Sequence, residues 1–78
     1  MKTLTIELDT EGEALELHLD KAGAEYLKGI LDKFIENDEQ DHHNLMTEDW
    51  GGSELSSEKQ SKSPTTKLMH HLKLMYWK

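Results

Sequence analysis

Residues 3 to 19 read TLTIELDTEGEALELHL, and the alternation of apolar and polar side chains within them is the strongest structural signal in the chain. The apolar positions lie on both sides of a short turn: Leu4, Ile6, Leu8, Leu15, Leu17 and Leu19. A period of two is typical of half-buried strands, and Gly12 suits the turn between them. The stretch therefore predicts a β-hairpin whose second face carries Glu7, Glu16 and His18.

A helix is predicted to follow the hairpin directly. Asp20 suits the N-cap position, because its carboxylate can accept hydrogen bonds from free backbone N–H groups. Apolar residues then repeat at helical spacing, which predicts a helix over residues 21 to 36: Leu27, Ile30, Leu31 and Phe34. Neither element can bury its apolar surface alone, so we expect the helix to cover the leucine face of the hairpin.

Two polar segments and one apolar segment make up the rest of the chain. Residues 37 to 44 and 56 to 66 are polar and are predicted to be flexible loops. Between them, Leu45 and Met46 are compatible with one short extra strand. Residues 67 to 77 are predicted to form the C-terminal strand, because large apolar side chains recur through them.

The C-terminal strand has two faces, and we expect the more apolar one to face the core: Leu68, His70, Leu72, Leu74 and Tyr76. The other face would join Glu7, Glu16 and His18 on the open side of the sheet: Met69, His71, Lys73, Met75 and Trp77. Exposed methionine and tryptophan beside charged groups are typical of a binding surface. The alternative is that sheet twist or an additional loop covers these residues.

Together these elements predict one small α+β domain over residues 1 to 78. Its small antiparallel sheet would consist of the N-terminal hairpin and the C-terminal strand, packed on one face by a single helix. The chain has no cysteine, which excludes disulfides, thiolate metal sites and a cysteine nucleophile. It is too short for a second hydrophobic core.

The charge pattern bears on the class of partner. The net charge is −7, but all 16 acidic residues lie before residue 59, whereas five of the nine lysines lie at residue 59 or after it. An acidic chain without arginine is a poor match for nucleic acid. Because no apolar run has the length of a signal peptide or membrane span, we expect no membrane association and a cytoplasmic location.

The sequence carries no recognisable catalytic or phosphate-binding motif. Gly51–Gly52 lacks the remaining residues of a phosphate-binding loop, and Ser53 does not lie in a nucleophile elbow. We therefore predict a protein that is not an enzyme and needs no cofactor. A metal site would require His18, His71 and Glu16 to converge across strands, with no ligand spacing in the sequence to support it.

Trp50 precedes two glycines and follows Glu48 and Asp49. The side chain could be a packed anchor that closes the long loop over the core, since a large aromatic ring buries much apolar surface. It could also present an aromatic hot spot to a partner. Both interpretations stay open at this point.

The segment HHNLMTEDWGGSELSSEKQ, followed by HHLKLMYW, resembles a family of bacterial immunity proteins from polymorphic toxin systems, the immunity family numbered thirty-two. The residues that carry the resemblance are His43, Leu45, Trp50–Gly51–Gly52, Glu54–Leu55 and an apolar C-terminal strand with His71 and a terminal aromatic residue. DWGGSEL is the most specific piece. The resemblance implies an α+β protein, encoded beside a toxin, that neutralises it by direct binding. It implies no catalytic residue.

The leading hypothesis is therefore an immunity protein that binds a cognate toxin, and the negative charge favours a basic toxin. Its candidate contact residues are Glu7, Glu16, His18, Trp50, Met69, His71, Lys73, Met75 and Trp77. One alternative is a self-associating structural module that buries the face of Met69, Met75 and Trp77 in a homodimer. The other is a protein that binds metal through histidine and carboxylate groups.

Overall fold

The structure, a computed structural model, describes residues 2–78. Its elements follow in the order β1 (Leu4–Asp9), β2 (Ala14–Leu19), α1 (Lys21–Asn37), β3 (Asp41–Met46), a 3-10 turn (Glu48–Trp50), β4 (Thr66–Met69) and β5 (His71–Tyr76). The strands form two antiparallel sheets, one in the order β2-β1-β4 and one of β3 with β5. The prediction of a small α+β fold with one helix and antiparallel strands is confirmed.

The N-terminal hairpin has the predicted register. Leu4 lies opposite Leu19 and Ile6 opposite Leu17, so the apolar residues share one face. The turn is held by the carboxylate of Asp9, which accepts the backbone N–H of Gly12 at 3.1 Å. A Cβ at Gly12 would lie 2.6 Å from Asp9 Oδ2, so a larger residue there would displace the carboxylate that holds the turn.

The helix begins as predicted and ends one residue later. Asp20 caps its start by accepting the Gly23 N–H at 2.7 Å. At the other end, Asp38 adopts the left-handed conformation and donates its N–H to the Phe34 carbonyl. The Tyr76 hydroxyl then donates to the Asp38 carboxylate at 2.7 Å, which ties the end of α1 to β5.

The hydrophobic core draws on both sheets, the helix and the long connection before β4. Its buried members are Leu4, Ile6, Ile30, Phe34, Leu45 and Leu55. Phe34 also stacks on Tyr76 with ring centroids 5.4 Å apart. The helix covers β1 but leaves the leucines of β2 largely in solvent, so the expectation that it buries the whole leucine face is wrong for that strand.

The loop predicted at residues 37 to 44 is wrong for residues 41 to 44. These residues form most of β3, which pairs with β5 along its whole length. The strand escaped prediction because three of its first four side chains are exposed and polar, and its pairing rests on backbone hydrogen bonds. The second predicted loop does lack helix and strand up to residue 65.

The C-terminal segment is two strands that lie in different sheets. The chain leaves β4 at Met69 and enters β5 at His71, so the side-chain alternation shifts by one residue at His70. Met69 lies opposite Ile6 and packs against the core, whereas Leu68 lies opposite Glu7. The predicted faces are therefore reversed for Leu68 and Met69. They are confirmed for β5, whose three inward residues pack against the core: Leu72, Leu74 and Tyr76.

The two glycines of α1 provide a matched test of how closely the helix approaches the sheet. A Cβ at Gly23 would lie 1.9 Å from the Thr3 carbonyl oxygen, whereas a Cβ at Gly29 would meet no described atom within 4 Å. We expect Gly23→Ala to lower the free energy of unfolding by about 2 kcal/mol. Gly29→Ala should raise it by about 0.5 to 1 kcal/mol, because alanine favours the helix. Urea denaturation measures both, and equal effects would contradict the packing described.

Candidate functional site

Glu7 is a buried carboxylate at the centre of the first sheet. It lies on β1, the middle strand, on the face opposite the core, and its side chain is fully buried. One carboxylate oxygen accepts the Thr5 hydroxyl at 2.6 Å and the Gln60 N–H at 2.9 Å. The other oxygen accepts the Ser61 N–H at 2.9 Å. The loop before β4 thus crosses this face of the sheet and is fastened to it by Glu7.

The hydrogen bonds to Glu7 decide its ionisation. Burial by itself raises the pKa of the Glu7 carboxyl, but the Thr5 hydroxyl and the N–H groups of Gln60 and Ser61 lower it, and His18 nearby lowers it further. The net result is a pKa below the ordinary glutamate value. Glu7 is therefore a charged structural group that a loop covers. At Glu7 the outer face of the sheet is not open, which agrees with the alternative that an additional loop covers it.

Glu16 and His18 lie beside Glu7 on β2. The His18 Nε2 is 2.7 Å from Glu16 Oε1 and 3.9 Å from Glu7 Oε2. One ligand atom from each of the three residues lies within 4.8 Å of the others. The predicted convergence of Glu16 and His18 is therefore present, but His71 lies on β5 against Asn44 and takes no part.

This cluster is a weak candidate for a metal site. Three ligand atoms fall short of the four of a structural zinc site. Glu7 already accepts hydrogen bonds from three protein donors, and binding an ion would compete with the contacts that hold the loop. Within residues 2–78, every buried polar side-chain atom has a hydrogen-bond partner in the protein. No buried polar group of these residues therefore needs a ligand to complete its hydrogen bonds.

Trp50 is exposed and stacks on one neighbouring ring. Its ring lies parallel to that of His70, with an interplanar angle of 9° and centroids 5.8 Å apart. The His70 Nδ1 in turn lies 2.7 Å from the Thr47 hydroxyl, which is buried. His70 therefore lies at the bend between the strands, where its ring packs against Trp50. The prediction that His70 faces the core is wrong.

Leu55 closes the long connection over the core, the role that one interpretation gave to Trp50. Its side chain is buried in the core, and its N–H is donated to the Met46 carbonyl at 3.1 Å. Glu54 supports the same crossing by accepting the Met46 N–H at 3.0 Å. The burial of Leu55 leaves Trp50 free to face solvent. Sequence reasoning considered only the larger side chain of Trp50 for this role, although Leu55 is a visible apolar residue in a polar stretch.

The outward face of β5 carries three of the predicted contact residues. His71, Lys73 and Met75 point to solvent beside Met46, Asn44 and His42 of β3, and Trp77 follows the strand as a further exposed side chain. We call these four, His71, Lys73, Met75 and Trp77, the β5 outer face. It belongs to a different sheet from Glu7, Glu16 and His18, so the structure does not bring the nine predicted contact residues onto one surface.

One concave feature was not predicted. A groove of about 470 Å³ runs between α1 and β3, with Ile30 and Phe34 in its lining and Asp41 and His43 on the strand side. Sequence reasoning missed it because β3 itself was interpreted as a loop.

Comparison of the chain with models of known protein families, with curated proteins and with solved structures found no match. In the part of the chain that the structure describes, no helix has the length and apolar character needed to cross a membrane. Function must therefore be argued from the surfaces themselves.

The role of Glu7 predicts a pH-dependent loss of stability. We expect Glu7→Gln to lower the free energy of unfolding at pH 7 by about 2 kcal/mol, because an amide cannot accept all three donors. Since the pKa is lowered in the folded state, the stability that Glu7 contributes is present above the unfolded value of about 4.3 and is lost as the pH falls through the folded value. The difference between wild type and variant should shrink below about pH 4.

Glu16→Gln is the matched control for this measurement. Glu16 lies directly opposite Glu7 in the hairpin but is half-exposed, and we expect its replacement to change the stability by less than about 0.5 kcal/mol. Chemical denaturation from pH 3 to pH 8 measures all three proteins. Parallel pH curves for wild type and Glu7→Gln would contradict the buried charge.

Metal binding at the Glu7, Glu16 and His18 cluster has its own test. We expect zinc or nickel to leave the melting temperature unchanged, because Glu7 is engaged by three donors of the protein. Thermal melts with and without metal measure this in wild type and in His18→Ala. A rise in melting temperature that His18→Ala abolishes would contradict the expectation and establish a metal site.

Proposed function

We propose that this protein is a non-enzymatic binding domain that neutralises a cognate toxin by direct contact, as an immunity protein does. The resemblance of DWGGSEL and its surroundings to an immunity family motivates the class of function. The observation that carries the mechanism is the exposed Trp50 ring, held against His70. The proposal includes a cytoplasmic location, where a newly made toxin would be met before it acts.

Trp50 has the properties of a binding hot spot. Tryptophan is enriched at such positions because one ring buries a large apolar area in a partner's pocket. Here the ring stacks on His70, and His70 contacts the Thr47 hydroxyl, so we expect the ring to be ordered before binding. A side chain that is ordered before binding loses little conformational entropy when the complex forms.

The charge around Trp50 favours a basic partner. Glu48 and Asp49 precede it in the exposed 3-10 turn, and the chain as a whole carries a net charge of −7. Negative potential steers a basic protein toward the surface and raises the association rate. A toxin that cuts nucleic acid has a basic substrate groove, and acidic side chains beside an aromatic anchor can occupy such a groove.

The β5 outer face extends the proposed interface. His70 directly precedes β5 and Trp77 directly follows it, so the two aromatic anchors lie at opposite ends of one strand, about 20 Å apart. One interface of ordinary size, about 800 Å² on each partner, spans this distance. Met69 and Glu7 are not part of it, since the first packs against the core and the second is covered by the loop.

The alternative of a self-associating module through Met69, Met75 and Trp77 finds less support. That surface would require the three side chains to share a face, and Met69 lies on the core side of the first sheet. Met75 belongs to the other sheet and faces outward.

Co-expression with the toxin encoded beside this gene tests the proposal. We expect the wild-type protein to restore growth and to co-purify with the toxin. Trp50→Ala should weaken the complex by about 2 kcal/mol, or about thirtyfold, because a hot-spot ring is lost. Ile35→Ala is the matched control, since Ile35 is 67% exposed and Trp50 is 59% exposed, and Ile35 lies on the helix.

Circular dichroism and thermal melts confirm that both variants remain folded, so a loss of binding can be assigned to the contact. Absence of rescue and of a complex with wild-type protein would overturn the proposed function. Equal affinity of Trp50→Ala and wild type would instead overturn Trp50 as the anchor.

A further inference from the structure

β2 is an edge strand with an uncovered apolar face. Among the strands of residues 2–78 its neighbour is β1, and its other edge is open. Leu15, Leu17 and Leu19 are 65%, 47% and 42% exposed, although they point to the same face as the buried Leu4 and Ile6. Natural proteins usually protect such edges with lysine, proline or a bulge, because an open edge can pair with another chain.

The backbone of β2 has its hydrogen-bonding groups available at this edge. Asp20, which follows the strand, donates its N–H to the Thr3 carbonyl of the neighbouring chain segment. Because these groups alternate in direction along an antiparallel strand, those of Leu15, Leu17 and Leu19 point away from β1. The three exposed leucines are thus also the three residues with free edge groups.

The helix also exposes apolar side chains on one flank. Tyr26 and Lys33 lie on the flank of α1 that lines the groove beside β3. At 100° per residue, the exposed Leu31 and Ile35 lie on the opposite flank.

We propose that the free edge of β2 pairs antiparallel with the β2 edge of a second copy of this chain, around a two-fold axis at Leu17. In this register the strand is self-complementary over residues 15 to 19, LELHL. With Leu17 opposite its own copy, Leu15 lies opposite Leu19, so the apolar face continues across the axis. On the other face Glu16 lies opposite His18.

The charge pattern favours a second copy over an unrelated strand. A register shift of one residue would place leucine against glutamate or histidine and lose both kinds of pair. In the two-fold register, Glu16 opposes His18 on both sides of the axis. Two copies with a net charge of −7 repel each other at long range, so we expect a weak dimer in the micromolar range.

The proposed dimer does not rest on toxin binding. It uses the first sheet, whereas Trp50 and the β5 outer face belong to the surroundings of the second sheet. Either proposal can therefore fail without the other, and a purified single protein suffices for the test.

Sedimentation equilibrium from about 5 to 500 μM measures the association. We expect wild type to shift from monomer to dimer over this range and Leu17→Lys to stay monomeric, because two lysines would meet on the axis. Met75→Lys is the matched control, since Met75 is 46% exposed on a strand of the other sheet and Leu17 is 47% exposed. A wild-type monomer at 500 μM would overturn the proposal, as would equal disruption by both variants.

Disulfide trapping tests the register, because the chain contains no other cysteine. Leu17→Cys places two thiols opposite each other with Cα atoms about 5.5 Å apart, which a disulfide can span. In the same register, two copies of Leu15→Cys lie about 13 Å apart along the strands. We expect Leu17→Cys to form covalent dimers at least tenfold faster. Equal rates would show random collision or another partner for this edge and would overturn the proposed pairing.

Discussion

The buried carboxylate of Glu7 is the constraint on which the remaining structure depends. A charged group without solvent contact must be paired with donors, and here the donors are the Thr5 hydroxyl and two backbone N–H groups of a loop more than fifty residues away. The charge therefore specifies where the loop crosses the sheet. In a domain of 78 residues without disulfides, this contact ties a long loop to the sheet, as a disulfide can in other small proteins.

The loop path that Glu7 fixes determines which surfaces remain exposed. Because the loop covers the outer face of the first sheet, the chain enters β4 beside β1 and then bends at His70 into the second sheet. The bend places His70 where it supports Trp50, and it turns the outer residues of β5 to solvent. The candidate binding surface is thus a consequence of the polar contacts at Glu7 and of the burial of Leu55, which frees Trp50 from the core.

The features that sequence alone predicted are those with local causes. The alternation from Leu4 to Leu19 predicted the hairpin and its register, and Asp20 predicted the start of the helix, because each signal acts over a few residues. The missed features depend on contacts distant in sequence. Hydropathy along Asp41–Met46 cannot show that this polar segment pairs with β5, and nothing near Glu7 in sequence shows the loop that buries it. Among the candidate contact residues, the outward orientation of His71, Lys73 and Met75 was predicted, and the exposure of Trp50 was one of two open interpretations. Met69 was assigned to the wrong face because the shift at His70 was not visible in the sequence.

The central claim is that Glu7 holds the loop against the sheet through the amides of Gln60 and Ser61, and amide hydrogen exchange measured by NMR tests it most directly. Both residues lie outside helix and strand, where backbone amides ordinarily exchange with solvent within seconds. If Glu7 holds the loop in this way, these two amides are protected to an extent comparable with the amides of β1, while that of the exposed neighbour Lys62 exchanges fast. Fast exchange at Gln60 and Ser61, equal to that of Lys62, would contradict the account.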